Sequence, residues 1–237
     1  MNIVTLGIDM ASRPKTTAAC MITWEAGRAV ASPSLVNCDD ENLDELISCA
    51  DAVGIDAPFG WPAEFTKAVT AWDFTSWDDN LRKQLCFRVT DIMAQETLGN
   101  WPLSVSTDRI ALPAMRTFSL LQRHGVDDRS GDGKFYEVYP AGSLRKWGLP
   151  YRNYKKDTSE HQQIRQQILN GLSEALPWLA IPDECVTSSH ALDALVASLT
   201  VRAAMQNRTS LPSLEQIALA EKEGWIHLPT GFPLCGR

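Results

Sequence analysis

The chain has no Cys-x-x-Cys pair, no long uninterrupted apolar segment and no overall excess of positive charge. The first absence sets aside a zinc knuckle. Cys20, Cys38, Cys49, Cys86, Cys185 and Cys235 are scattered without the spacing of a metal finger or a disulfide framework, so a reducing cytoplasm is the expected setting. The second excludes a membrane span, and Asp9 interrupts the apolar start, which lacks a basic lead, too early for a signal peptide. The third, a net charge of -7 with a pI near 5.1, opposes an overall electrostatic grip on nucleic acid. Internal repeats and low-complexity linkers are also missing. A hydrophobic content of 44% over 237 residues suffices for one substantial core, so a single domain over residues 1–237 is expected.

What the chain does have is acids at the ends of apolar runs. Asn2-Ile-Val-Thr-Leu-Gly-Ile-Asp9 and Asp51-Ala-Val-Gly-Ile-Asp56 each drive a strand into a carboxylate. A third acid, Asp193, interrupts an Ala-, Leu- and Val-rich helix, with His190 one turn earlier on the same face. Buried carboxylates are costly unless something positive compensates them, so the trio Asp9, Asp56 and Asp193 points to a cation site. Each acid also has a plainer role open to it. Asp9 can accept from turn N–H groups, Asp56 can cap the segment after Pro58, and Asp193 suits a helix N-terminus capped by Ser188 or Ser189.

The order of elements ties the first two acids together. Residues 17–24 and 28–36 are rich in strand formers around a turn at Gly27, so strands one to three form an antiparallel meander. Residues 40–50 read as a helix with acids in the first turn, returning the chain to the strand that ends at Asp56. A helix between two strands implies a crossover and a parallel pair, which makes Asp9 and Asp56 neighbours on one sheet edge. Residues 58–113 mix tryptophans with prolines and polar residues, and read as an insertion of short helices and loops covering the site edge. A helix over 112–125, a strand over 134–139 stopped by Pro140, and helices over about 158–176, 188–205 and 213–223 complete the chain.

Other charged residues are candidates of a weaker kind. Glu137 lies inside the strand over 134–139, where it either faces solvent or approaches the acids of the neighbouring strand. Arg13, Arg88 and Asp91 are candidate phosphate or substrate contacts, with surface salt bridges as the alternative for each arginine. Two basic clusters, Arg145-Lys146 with Arg152 and Lys155-Lys156, and Arg109 with Arg116 and Arg123, can form a local basic rim on an acidic protein or simply solvated helix faces.

These residues resemble a family of predicted nucleases with a ribonuclease H-like fold, the domain of unknown function 429 family. The resemblance runs over nearly the whole chain and is carried by Gly7-Ile-Asp9, Gly54-Ile-Asp-Ala-Pro-Phe-Gly-Trp-Pro62, Arg88-Val-Thr-Asp91, Glu137-Val-Tyr-Pro-Ala141, His190-Ala-Leu-Asp-Ala-Leu195 and Glu223-Gly-Trp-Ile226. The His-x-x-Asp-Ala helix is also similar to the last active-site helix of RuvC-type resolvases. The resemblance implies an α/β fold with a mixed five-stranded sheet and helices on both faces, Asp9, Asp56 and Asp193 as ligands of magnesium or manganese, and His190 as an assistant. Glu137 is the candidate, by position alone, for a fourth acid. The implied activity is metal-dependent hydrolysis of nucleic acid phosphodiester bonds, in DNA or RNA. Competing readings are a non-catalytic binding or scaffold protein of the same fold, and an actin-like or sugar-kinase-like ATPase. The ATPase reading suffers because residues 10–17 contain no glycine for close phosphate approach.

Overall fold

Residues 3–9 form an apolar, β-branched run suited to a strand covered on both faces. In the computed structural model, which describes residues 2–72, 76–131 and 133–235, this run is the strand β1 (Ile3–Asp9). Gly27 turns at φ 78° between β2 (Ala18–Glu25) and β3 (Arg28–Ala31), giving the expected antiparallel meander. The third strand is shorter than residues 28–36. Pro33 lacks the N–H a ladder needs, and the chain resumes as β4 (Leu35–Val36), which pairs back onto β2.

Helix α1 (Asp40–Cys49) starts from a reciprocal cap between Asp39 and Asn42 and buries Leu43 and Ile47. It leads into β5 (Ala52–Asp56), which pairs in parallel with β1 so that Asp56 stands opposite Asp9. Helices α2 (Ala63–Ala71), α3 (Asp79–Cys86) and α4 (Val89–Leu98) occupy the stretch read as an insertion, of which residues 73–75 lie outside the description. Helix α5 (Ala111–Arg123) follows, and β6 (Phe135–Glu137) joins β5 in parallel.

After β6 come α6 (Pro140–Lys146), α7 (Ser159–Ala175), β7 (Leu179–Ala180), α8 (Glu184–Thr187), α9 (Ser189–Met205) and α10 (Ile217–Glu223). The sheet runs β6-β5-β1-β2-β3-β7, with β4 beside β2. The five expected strands are present in the expected mixed order, and two two-residue strands extend them. Helix α6 was not expected: Pro140 ends the strand and, at the first helical position, opens a helix. Among the described residues, no helix is long and apolar enough to cross a membrane.

Period-two alternation assigns the sheet's two faces. Leu6, Ile8, Val53 and Ile55 pack with Leu43 and Ile47 of α1 and Leu120 and Leu121 of α5. The opposite face of β2 packs Cys20, Ile22 and Trp24 with Leu192, Leu195 and Leu199 of α9 and Ile168 and Leu172 of α7. Helix α9 is buried almost all round because it lies directly on β1 and β5. Glycine permits this. A Cβ on Gly7 would fall 2.0 Å from the Ala194 carbonyl oxygen, and one on Gly54 would fall 2.7 Å from that of Ala197. Gly7 and Asp9 share a strand face, as do Gly54 and Asp56, so both acids point to the side on which α9 lies.

Candidate metal centre

The first acid is the last residue of β1, the second the last residue of β5, and the register between them sets their spacing. The third comes from the second turn of α9, whose N-terminus is capped by the Ser188 hydroxyl accepting from the Ala191 N–H. One carboxylate oxygen from each of Asp9, Asp56 and Asp193 lies within 4.8 Å of the other two. A hard cation with ligand bonds of ~2.0–2.6 Å spans about that distance between opposite oxygens. Asp193 is 1% exposed and Asp9 9%, so the cluster is largely withdrawn from water.

The electrostatics are those of a site short of positive charge. Burial pushes the Asp56 carboxyl well above the usual range; the charge of Lys155 opposes this, while Asp9, Asp193 and Glu137 add to it. Asp9 is raised by burial and by Asp193, against a hydrogen bond from His190 and the charge of Lys155. Among the described residues no protein donor reaches the Asp56 carboxylate. An all-oxygen set with uncompensated negative charge suits magnesium or manganese.

Three flanking groups complete the cluster. His190 Nδ1 donates to Asp9 at 2.5 Å with its side chain 48% exposed, and that bond raises its pKa. The Tyr154 hydroxyl donates to Asp193 at 2.7 Å, and Lys155 Nζ sits 2.8 Å from the other oxygen of the same carboxylate. The Asp193 charge raises the Lys155 ammonium above its ordinary pKa. Both residues lie on a loop that Arg165 of α7 secures. Its buried guanidinium donates to the carbonyls of Tyr154 and Lys156, on either side of Lys155, and to Val186 and Thr187 just before α9. Sequence reasoning placed Lys155 only within a basic cluster and passed over Tyr154 and Arg165.

Arg88 and Asp91, expected as substrate contacts, line the same cavity as Asp9 and Asp56 but are engaged with their own neighbours. All five Arg88 donors are taken: by both oxygens of Asp91, both oxygens of Glu137 and the Glu223 carbonyl. Arg88 is 2% exposed and Asp91 1%, so their ion pair is internal. Glu137 is buried too, with one oxygen also accepting from the Phe59 N–H, and it stands outside the three-acid group. Burial raises the Glu137 carboxyl and Arg88 opposes that rise.

Glu223 accepts from the N–H groups of Ala63 and Val89, and Ile226 N–H donates to Thr90. The motifs at 88–91, 137–141 and 223–226 thus converge on one buried knot beside the acids. Arg13 is exposed just before the 3-10 turn Pro14–Thr16 that follows β1, and it is not among the residues lining the acids' cavity. Arg116 and Arg123 pair with Asp40 and Asp44 of α1, which removes them from any basic rim.

Asp9 and Asp56 open, with Lys155, into a cavity of about 430 Å³. A family model described as a protein of unknown function, DUF429, matches residues 7–216. The chain belongs to the DUF429 family. A comparison with curated proteins gives no match. Among solved structures, RuvC of T. thermophilus in complex with a Holliday junction substrate is similar at 11% identity, over 86% of this chain and 96% of that one, with a TM-score of 0.33.

Proposed function

We propose that this DUF429 member is a divalent-cation-dependent nuclease hydrolysing phosphodiester bonds in nucleic acid, DNA or RNA. The observation that carries the reading is the convergence of three carboxylate oxygens, from two strand ends and a helix, within 4.8 Å. Asp9, Asp56 and Asp193 would hold magnesium or manganese. When bound, such a cation activates a coordinated water and neutralises charge on the leaving oxygen.

The remaining roles belong to the chain's own residues. His190, bonded to Asp9 through Nδ1 and half open to solvent, is placed to take a proton from the attacking water. Lys155 contributes a fixed positive charge beside the scissile phosphate and holds Asp193 in the meantime. The water oxygen bonds to phosphorus, the bond from phosphorus to the leaving oxygen breaks, and that oxygen takes up a proton. Six free thiols accord with a reducing compartment such as the cytoplasm.

The test is cleavage of DNA and RNA, single-stranded and structured, by purified protein with magnesium or manganese. Activity is expected to need the cation and to fall by several orders of magnitude in Asp9→Asn and Asp193→Asn. Activity that survives both substitutions would overturn the assignment.

A further inference from the structure

Resting on the nuclease reading, we propose that the site takes an unpaired nucleotide, inserted base-first into the cavity beside the carboxylates, with the adjoining phosphate held by Arg145 and Arg152. The cavity's volume of about 430 Å³ falls within the ~300–1,000 Å³ of small-ligand clefts. Its lining is mostly apolar, with Met10, Pro58, Leu103, Ile110 and Val138 among the walls, and its charged members apart from the two acids and Lys155 are the mutually paired Arg88, Asp91 and Glu137. A paired duplex offers a site its phosphate rails, which call for a basic face. This cavity instead offers apolar surface and an aromatic ring, Tyr139, which suit the flat face of a base withdrawn from its stack.

A second cavity of about 110 Å³ adjoins the first, and Tyr139 and Ala141 line both. Its chemistry is different. Arg145 and Arg152 each lie 5.1 Å from the Tyr151 ring centre; Arg145 also donates one N–H to the Asn100 side-chain oxygen, and among the described residues neither arginine has a carboxylate partner. Two guanidinium groups fixed on one ring, in a space of phosphate size, are a cradle for a phosphate. The succession of carboxylates and Lys155, then Tyr139, then the arginine pair follows the repeat of a single strand: phosphate, base, phosphate. It also answers the objection raised by a net charge of -7, because the positive charge needed is local and small.

The test is fluorescence anisotropy of a short labelled DNA strand, alone and annealed to its complement, with calcium in place of magnesium to suppress cleavage. The single strand is expected to bind about tenfold more tightly than the duplex, the scale of one stacked base. Ala141→Phe, which fills the junction of the two cavities, and Arg152→Glu, on the exposed side, should each weaken single-strand binding at least about fivefold and leave duplex binding unchanged. Arg152→Glu decides alone if Ala141→Phe fails to fold. Equal binding of strand and duplex, or single-strand binding indifferent to Arg152→Glu, would overturn the proposal. Calorimetric titration of the same protein with manganese separates this from the parent reading. Absence of cation binding with the strand preference intact overturns the nuclease and keeps the nucleotide site, whereas cation-dependent cleavage with no strand preference does the reverse.

Discussion

Lys155 Nζ lies 2.8 Å from one oxygen of Asp193, while the Tyr154 hydroxyl holds the other oxygen at 2.7 Å. The acid from α9 is therefore gripped on both sides by one short loop, and its cation is a lysine that remains 57% exposed. That exposure sets the scale. Replacing Lys155 by Met is expected to cost more than the ~0.2–1 kcal/mol of a surface pair and less than the ~3–5 kcal/mol of a buried one. Added manganese should then raise the melting temperature of Lys155→Met by more than it raises that of the wild type, because the uncompensated acids gain most from the ion. Differential scanning calorimetry with and without manganese measures both effects; an equal rise in the two proteins would contradict the role given to Lys155.

Cation affinity should depend on pH in a direction fixed by Asp9 and Asp56. Both carboxyls are raised by burial and by repulsion from neighbouring acids, Asp193 at Asp9 and Asp9 with Asp193 at Asp56, and a ligand must be deprotonated to bind. Protons therefore compete with the cation at a higher pH than they do at an ordinary carboxylate. Calorimetric titration from pH 8 downward is expected to show manganese affinity falling before the ordinary carboxylate range is reached, with proton release on binding at the lower pH values.

The knot around Arg88 makes a separate claim about stability. Removing the guanidinium in Arg88→Met leaves Glu137 and Asp91 as buried, unpaired acids, at an expected cost of ~3–5 kcal/mol. Adding Glu137→Gln should recover part of that loss, since the second substitution removes one of the orphaned charges. Urea denaturation of both single variants and the double variant gives the coupling; strict additivity would show that the two residues act independently.

His227 supplies a second pH dependence, of stability this time. The neutral ring satisfies both its partners, Nε2–H donating to the Ser130 carbonyl and Nδ1 accepting from the Thr209 hydroxyl. Burial pushes its pKa from 6.5 down to about 4. Below pH 6.5 the unfolded chain takes up a proton that the folded chain refuses until about pH 4, so this residue's contribution falls as pH drops through that window. The loss reaches about 3 kcal/mol at its lower end. Urea midpoints from pH 7 to pH 4 should decline less steeply in His227→Gln than in the wild type.

Much of the candidate site can be read in the chain itself, for a topological reason. A helix between two strand-like runs requires a crossover, and the crossover puts Asp9 opposite Asp56. Asp193 stood out because an acid amid Leu192, Leu195 and Val196 needs a positive partner. Tyr154 and Lys155 were not legible as its partners, because they sit on a loop without periodicity. Arg165 holds that loop through carbonyl groups, which carry no side-chain signature. Arg88 was visible as a charge but not as a buried one. Its other partners lie 49 and 135 positions away, and no local pattern encodes that meeting. Strands β4 and β7, two residues each, are too short to carry an alternation.

The contact of α9 with the sheet through Gly7 and Gly54 has a consequence for how the protein can vary. The gap between Asp193 and the two strand-end acids is set by main chain resting on main chain, with no intervening side chain to act as a spacer. Changes in the two apolar cores therefore alter how firmly the fold is held without retuning the distance between the acids. Adding one methyl group at residue 7 lifts the helix and opens that distance at once. Robustness of the scaffold and the calibre of its acidic cluster are thus governed by different residues, and each is free to change while the other is kept.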